Sequence, residues 1–347
     1  MIRIFTWVIA ICVWAASASC VRSQEKDAAP EISKQQKQKV LVVVGAPGEE
    51  TYRKQFLEWA TLWEKNASAA NCDFQLIGGK TKSKVERKQE DESEATDNVS
   101  DRSRLESYLK ENVDHAGPMW IVLIGHGTFG GQGTAKFNLA GPDVTSSDLA
   151  KWIRPVKGQV VLVNCASASS PFLAEDWGKD RIVLTSTKSG FQYNFSRFGK
   201  FFAEAIVDRT IDLDKDGQTS LLEAFLAASN RTQEFYKSAS RIATENALLD
   251  DNGDKLGTAA DWFSGIRVTK QAKKGSIPDG PRANQVFFLA SERNSKLPPE
   301  AIATRNELEL QLERIRAERG NLSEEAYLNQ LESVLFELAK IYEKHSK

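Results

Sequence analysis

The chain has 347 residues, 41% of them hydrophobic and 27% charged, which excludes a collagen-like, wholly disordered or multi-span membrane protein. Its 46 Lys and Arg balance 47 Asp and Glu, so no long-range field draws nucleic acid, which is not an expected partner. Three His (His115, His126, His345) and four Cys (Cys12, Cys20, Cys72, Cys165) leave His- or Cys-based chemistry few candidates.

Residues 1–20 carry a basic start at Arg3, an apolar run from Ile4 to Ala16 and small residues at 16–18, the pattern of a secretory signal peptide. Two other readings stay open. Ser17-Ala18-Ser19-Cys20 permits a lipobox, with membrane attachment through a lipid on Cys20, and the apolar run is near the lower limit of about 17–25 residues for a retained anchor. All three place the rest of the chain outside the cytoplasm. Cys72 and Cys165 are then the certain mature thiols, too few for a disulfide scaffold.

Residues 21–38 read as a flexible spacer. KVLVVVG at 39–45 is the β-branched run of a strand buried on both faces, and Phe56, Trp59, Ala60 and Trp63 follow at helical spacing. CDFQLI (72–77) with a helix near 101–112, MWIVLIG (119–125) with a helix near 145–153, QVVLVN (159–164) and RIVLTST (181–187) extend the series. Five buried strands alternating with helices predict an α/β fold, a mainly parallel sheet with helices on both faces. Residues 79–100 nearly lack apolar side chains and read as a surface insertion, or as a segment removed on activation.

Two scarce residues fall where open parallel sheets carry their chemistry, at the carboxyl ends of strands. IVLIGHGTFGG sets His126 directly after the third strand, and VVLVNCASASS sets Cys165 directly after the fourth. A thiolate can attack a carbonyl, an imidazole can protonate the leaving amine, and the N–H groups of Gly127 and Cys165 can stabilise the oxyanion. The bland alternative is a structural thiol beside a hydrogen-bonded loop histidine. His115, before a turn, and His345, near the end of the chain, are poor candidates.

Over roughly residues 39–200 the chain resembles the legumain-type cysteine peptidases, which share a caspase-like fold. GAPGEETYRKQ at 45–55 is similar to that family's first strand exit, His126-Gly127 matches its His-Gly, and Asn164-Cys165-Ala166-Ser167 lies on its Ala-Cys-Glu-Ser. The resemblance implies a caspase-like three-layer fold, Cys165 as nucleophile, His126 as its acid–base partner, and Arg53 in the primary substrate pocket. Thr51 stands where the family orients the catalytic His with Asn, and Val163 where a Glu helps read the substrate. FNLAGPD (137–143), LLDDNGD (248–254) and the C-terminal region are similar to exported bacterial members.

DLDKDGQTSLLE at 212–223 fits the twelve-residue EF-hand loop: Asp212, Asp214 and Asp216 at positions one, three and five, Gly217 at six, the Gln218 carbonyl at seven, Ser220 at nine and Glu223 at twelve. Calcium is the cofactor this pattern predicts, from a lone loop in a weak range of about 10⁻⁴–10⁻³ M. Residues 250–254 are acidic too, but their Gly has the wrong offset for an EF-hand, and they read as a turn, with an accessory cation site as the alternative.

From 296 to 347 the pattern changes to a helical hairpin. Pro298-Pro299 starts one helix with Leu308, Leu312 and Ile315 in a stripe; Gly320 and Ser323 mark the turn, and Leu328, Leu331, Leu335, Leu338 and Ile341 make a second stripe. The hairpin can pack in cis or bind a partner. Taken together, the sequence predicts an exported cysteine endopeptidase of 39–295 with a structural calcium and a peptide or protein substrate. The rivals are a catalytically inactive caspase-fold calcium-binding protein and a transpeptidase.

Overall fold

The computed structural model describes residues 37–79, 99–130, 133–270, 272, 277–291 and 297–345. The leader, the Cys20 lipobox, nearly all of the 21–38 spacer and nearly all of the 79–100 insertion lie outside the described residues. Among the described residues, no helix is long and apolar enough to cross a membrane.

The strands are β1 (Lys39–Val44), β2 (Asp73–Gly78), β3 (Met119–Ile124), β4 (Gly127–Phe129), β5 (Ala135–Phe137), β6 (Val144–Thr145), β7 (Val160–Asn164), β8 (Arg181–Thr185), β9 (Leu248–Asp250) and β10 (Thr258–Ala259), of which β1, β3, β7 and β8 coincide with the buried apolar runs. Seven of them make one sheet in the order β10-β9-β8-β7-β3-β1-β2. Every pairing from β2 to β8 is parallel, and β9 and β10 add antiparallel partners at the far edge. The α/β expectation of a mainly parallel sheet between helical layers is met. β2 departs from it in being half exposed, because it is the edge strand with one flank unpaired. The short antiparallel sheet β4-β5-β6 was not legible, since strands of two or three residues leave no periodic signal.

Side-chain alternation splits the core in two. Val40, Val42, Trp120, Val122, Ile124, Val161 and Val163 face α1 (Glu50–Ala69), α4 (Phe198–Ala205) and α5 (Leu221–Ser238). Leu41, Val43, Ile121, Leu123 and Leu162 face α2 (Asp101–Glu111) and α3 (Ser146–Ile153). Local chemistry sets the helix starts: Ser100 Oγ accepts from Ser103 N at 3.2 Å and Thr145 Oγ1 from Asp148 N at 3.0 Å.

The tail is a hairpin of α6 (Pro299–Ala317) and α7 (Glu324–His345), Pro299 occupying the first helical turn. Leu312, Ile315, Val334 and Leu338 form its own small core, with Leu308, Tyr327 and Leu331 packed against it. The expected second stripe is corrected here. Leu328 is 53% and Leu335 49% exposed, and the inward face runs through Tyr327, Leu331, Val334 and Leu338, one position round the helix.

Candidate active site and cation loop

Strand parity puts the two scarce residues on one face. His126 is two residues beyond Ile124, and Cys165 is two beyond Val163, so both project toward α1 and α4. The β3–β7 register, Leu123 opposite Asn164, sets Cys165 level with Ile124. The Cys165 amide completes the ladder by donating to Leu123 O at 2.9 Å.

Among the described residues, His126 is held by main-chain bonds and aromatic rings rather than by a carboxylate. Its main-chain carbonyl accepts from Asn138 N at 3.0 Å, and its ring hydrogen-bonds the Pro47 carbonyl. The Tyr52 ring meets it edge-on at 4.9 Å, with Phe56 at 5.3 Å and Phe195 at 6.1 Å. Burial lowers its pKa despite the Pro47 bond, which favours the neutral imidazole.

Cys165 is 1% exposed. Burial, reinforced by the charge of Glu245, pushes its thiol pKa up, so the neutral thiol is the stable form in this closed geometry. A Cβ placed on Gly199 would stand 2.6 Å from Cys165 Cβ and 2.7 Å from its Sγ, so the first turn of α4 lies against the sulfur. Cys72 is also a free thiol, pushed up to about 11 chiefly by burial, and no bridge joins the two.

The expected oxyanion donors are both engaged. Gly127 N donates to Ser167 Oγ at 3.2 Å, and the Cys165 amide belongs to the sheet. Close approach at Gly127 is obligatory, because a Cβ there would fall 2.4 Å from Ser167 O. Arg53 Nε is 3.0 Å from Glu50 Oε2, and Arg53 lines a recess with Gly45, Pro47, Phe56, Gly79, Asp101 and Ala140, of which Pro47 and Phe56 also contact His126. Thr51 is an exposed position in the first turn of α1, and Val163 is core.

In the 212–223 loop, carboxylate oxygens of Asp212, Asp214 and Asp216 lie within 4.8 Å of one another. Asp216 N and Gly217 N both donate to Asp212, each at 3.0 Å, which folds the turn at Gly217 (φ 86°). Glu223 faces the loop from α5: one oxygen accepts from Leu213 N at 2.5 Å, the other from Ser220 N at 2.8 Å and Ser220 Oγ at 2.9 Å. Ser220 in turn caps α5 by accepting from Glu223 N, a reciprocal capping box. Gln218 Nε2 donates to Asp216 Oδ2 at 3.0 Å. Burial first, then the charge of Asp214, raises the Asp216 pKa; burial outweighs the hydrogen bonds to raise that of Glu223.

The loop has a neighbouring segment in the fold. Leu221 N donates to Val286 O at 2.7 Å and Ser220 bridges Phe287, so the 284–288 segment pairs with it as a second loop would. Asn284 joins both ends, accepting from Ser220 Oγ at 2.9 Å and donating to Asp214 Oδ2 at 3.3 Å. The 250–254 stretch is the expected turn, with Gly253 N on Asp250 Oδ1 at 2.7 Å, and carboxylate oxygens of Asp250, Asp254 and Asp279 lie within 4.8 Å of one another.

The sequence did not point to Glu245, Phe195, Gly199 or Asn284. Ser167 had a signal, the small-Ser run after Cys165. Glu245, Phe195 and Asn284 sit in segments with no periodicity to mark them, and Gly199 lies in a helical pattern that does not say what its bare face touches.

No protein-family model and no curated protein matches the chain. Solved structures do. It is similar to the crystal structure of caspase-1 from Spodoptera frugiperda, with 9% identity and a TM-score of 0.42 over 65% of this chain and 92% of that one. It is also similar to the Drosophila initiator caspase Dronc, at 12% identity and a TM-score of 0.40 over 72% and 93% of the two chains. A third, drICE, aligns at 8% identity and a TM-score of 0.35 over 63% and 89%. Likeness this remote assigns no residue a role.

Proposed function

We propose that this protein is an exported cysteine endopeptidase of the legumain type, with Cys165 as nucleophile, His126 as acid–base partner and calcium in the 212–223 loop. The observation that carries this reading is the shared face: adjacent parallel strands end in His and Cys, both projecting toward α1 and α4. In the reaction, His126 takes the Cys165 proton, the thiolate adds to the scissile carbonyl, and the imidazolium gives that proton to the departing amine. Water then hydrolyses the acyl-enzyme, with the imidazole as its base. The oxyanion needs an N–H that the described geometry commits elsewhere, so catalysis requires Gly127 N to leave Ser167 Oγ. Arg53 would read the substrate side chain only if the recess it lines opens toward Cys165.

The calcium assignment is supported by oxygen-only side chains at the spacing a hard cation takes, and by carboxylates whose burial a cation would offset. Asp212, Asp214, Asp216, the Gln218 carbonyl, Ser220 and Glu223 would hold it. Its effect is to stiffen the entry to α5. Export follows from the leader pattern, and a peptide or protein substrate from the chemistry.

Burial of Cys165 favours a second reading, in which the fold carries calcium and presents a surface without catalysis. A thiol-directed peptidase probe, applied to wild type and Cys165→Ala with and without calcium and reductant, separates the two. Labelling lost in the variant, with cleavage of a proteome-derived peptide library, supports the peptidase. Unchanged labelling in the variant overturns it, and transfer of the acyl group to an added amine would identify a transpeptidase.

A further inference from the structure

Five consecutive residues touch both members of the candidate pair. At one end, the Phe195 ring lies 6.1 Å from His126, 4.9 Å from Tyr52 and 5.5 Å from Trp59. At the other, the Gly199 backbone rests against the Cys165 sulfur, with Trp59 bordering the same contact at 3.5 Å from a Cβ built on Gly199.

A single buried carboxylate holds this stretch from behind. Glu245 accepts from Ser196 Oγ at 2.5 Å, Arg197 N at 2.8 Å, Phe198 N at 3.0 Å and Tyr236 Oη at 3.0 Å. These donors compensate a carboxylate that is 1% exposed. Arg197 adds a second hold: its guanidinium lies over Phe195 at 5.4 Å and over Phe235 of α5 at 4.4 Å. Beside the stretch is an open groove of about 860 Å³, lined by Lys54, Glu58, Trp59, Arg197, Lys200 and Phe235 among others. Phe195 and Arg197 are half buried, and Arg197 lines this groove.

We propose that Phe195–Gly199 is a strap that closes over the Cys165 thiol and is kept shut by the Glu245 clasp and the Arg197 clamp. The described state is the latched one. Opening is a sub-global event, because the contacts that fail are the Glu245 hydrogen bonds, the Arg197 stack and the packing of Phe198 on Phe202 and Phe225 at the first turn of α4, not the sheet. The strap governs access to the thiol whether or not Cys165 is catalytic; under the peptidase reading above, it keeps the enzyme latent.

The test is the rate of iodoacetamide alkylation of the full chain under native conditions, read by peptide mass spectrometry at Cys165 and Cys72 together. In Phe195→Ala, Arg197→Ala and Glu245→Gln, Cys165 is expected to react at least about tenfold faster than in wild type, about 1.4 kcal/mol in the opening equilibrium. Cys72, buried in the same protein but away from the strap, is expected to keep its wild-type rate. Unchanged Cys165 rates overturn the strap, and so does an equal rise at both thiols, which marks general loosening. Arg197→Ala leaves the Glu245 contacts in place and guards against misfolding of the other two. Peptide hydrolysis is not part of the readout: an opened variant that alkylates fast yet cleaves nothing would count against the peptidase and leave the strap standing.

Discussion

Gly127 N donates to Ser167 Oγ at 3.2 Å, so the loop that follows His126 is bonded to the loop that follows Cys165. Ser167 Oγ also lies 3.3 Å from Gly127 O, which makes this one hydroxyl the side-chain tie between the two strand ends. Ser167→Ala is expected to lower stability by about 1 kcal/mol, the net worth of such a bond when its partner amide is left buried. Urea denaturation at constant m-value measures it.

The contact between Gly199 and Cys165 has no slack. Gly199→Ala is expected to destabilise by about 1–3 kcal/mol, because its new methyl overlaps Cys165 Cβ and Sγ at 2.6 and 2.7 Å. In a Cys165→Gly background the same substitution is expected to cost clearly less. Additive costs in this double-mutant cycle would mean that the two residues do not press on each other.

Buried acid chemistry near β9 and β10 gives the protein a pH signature. Asp279 is fully buried and its carboxyl is pushed up to about 8 by burial, with the charge of Asp251 adding to it. The folded state therefore keeps a proton that an unfolded Asp releases near pH 4. Stability from this site is fully present below about pH 4 and falls as pH rises toward 8. Asp279→Asn keeps the shape without the titration and is expected to flatten that decline in urea midpoints measured from pH 4 to 8.

Calcium in the 212–223 loop is expected to stabilise the fold by mass action. At millimolar calcium the wild-type Tm rises by scanning calorimetry, and Asp212→Asn removes the rise, since Asp212 both offers a ligand and folds the turn through Asp216 N and Gly217 N. Magnesium, which dehydrates reluctantly and prefers stricter geometry, is expected to act more weakly. A wild-type Tm indifferent to calcium would refute the cation loop.

The hairpin has a core of its own. Leu338→Ala is expected to cost about 2–3 kcal/mol and to raise amide exchange through α6 and α7, while the central strands keep their protection. Leu335→Ala, on the exposed face of the same helix, is expected to change neither.

The sheet was readable because burial on both faces imposes one rule on consecutive residues: 40–44, 119–124 and 160–163 carry only apolar side chains. β4 to β6 and the antiparallel edge were not, being too short for a period to register. In the hairpin, Leu-rich spacing gave the helices but chose the wrong face at Leu328 and Leu335. Val334 and Tyr327 fit a neighbouring stripe equally well, and only packing against Leu312 and Ile315 decides between them.

At the site, sequence alone determined that His126 and Cys165 end neighbouring buried strands, and the period of two in a strand then fixes the face they share. It also determined the carboxylates of the cation loop, because those ligands are local. What only the tertiary structure decided is the state of the thiol: Cys165 is sealed under Gly199, its cover is clasped by Glu245 more than forty residues beyond, and Gly127 is occupied by Ser167. The reason is physical. A periodic pattern follows from one repeating constraint along the chain, whereas a buried carboxylate takes whatever donors the fold brings to it, and no local spacing records which they are.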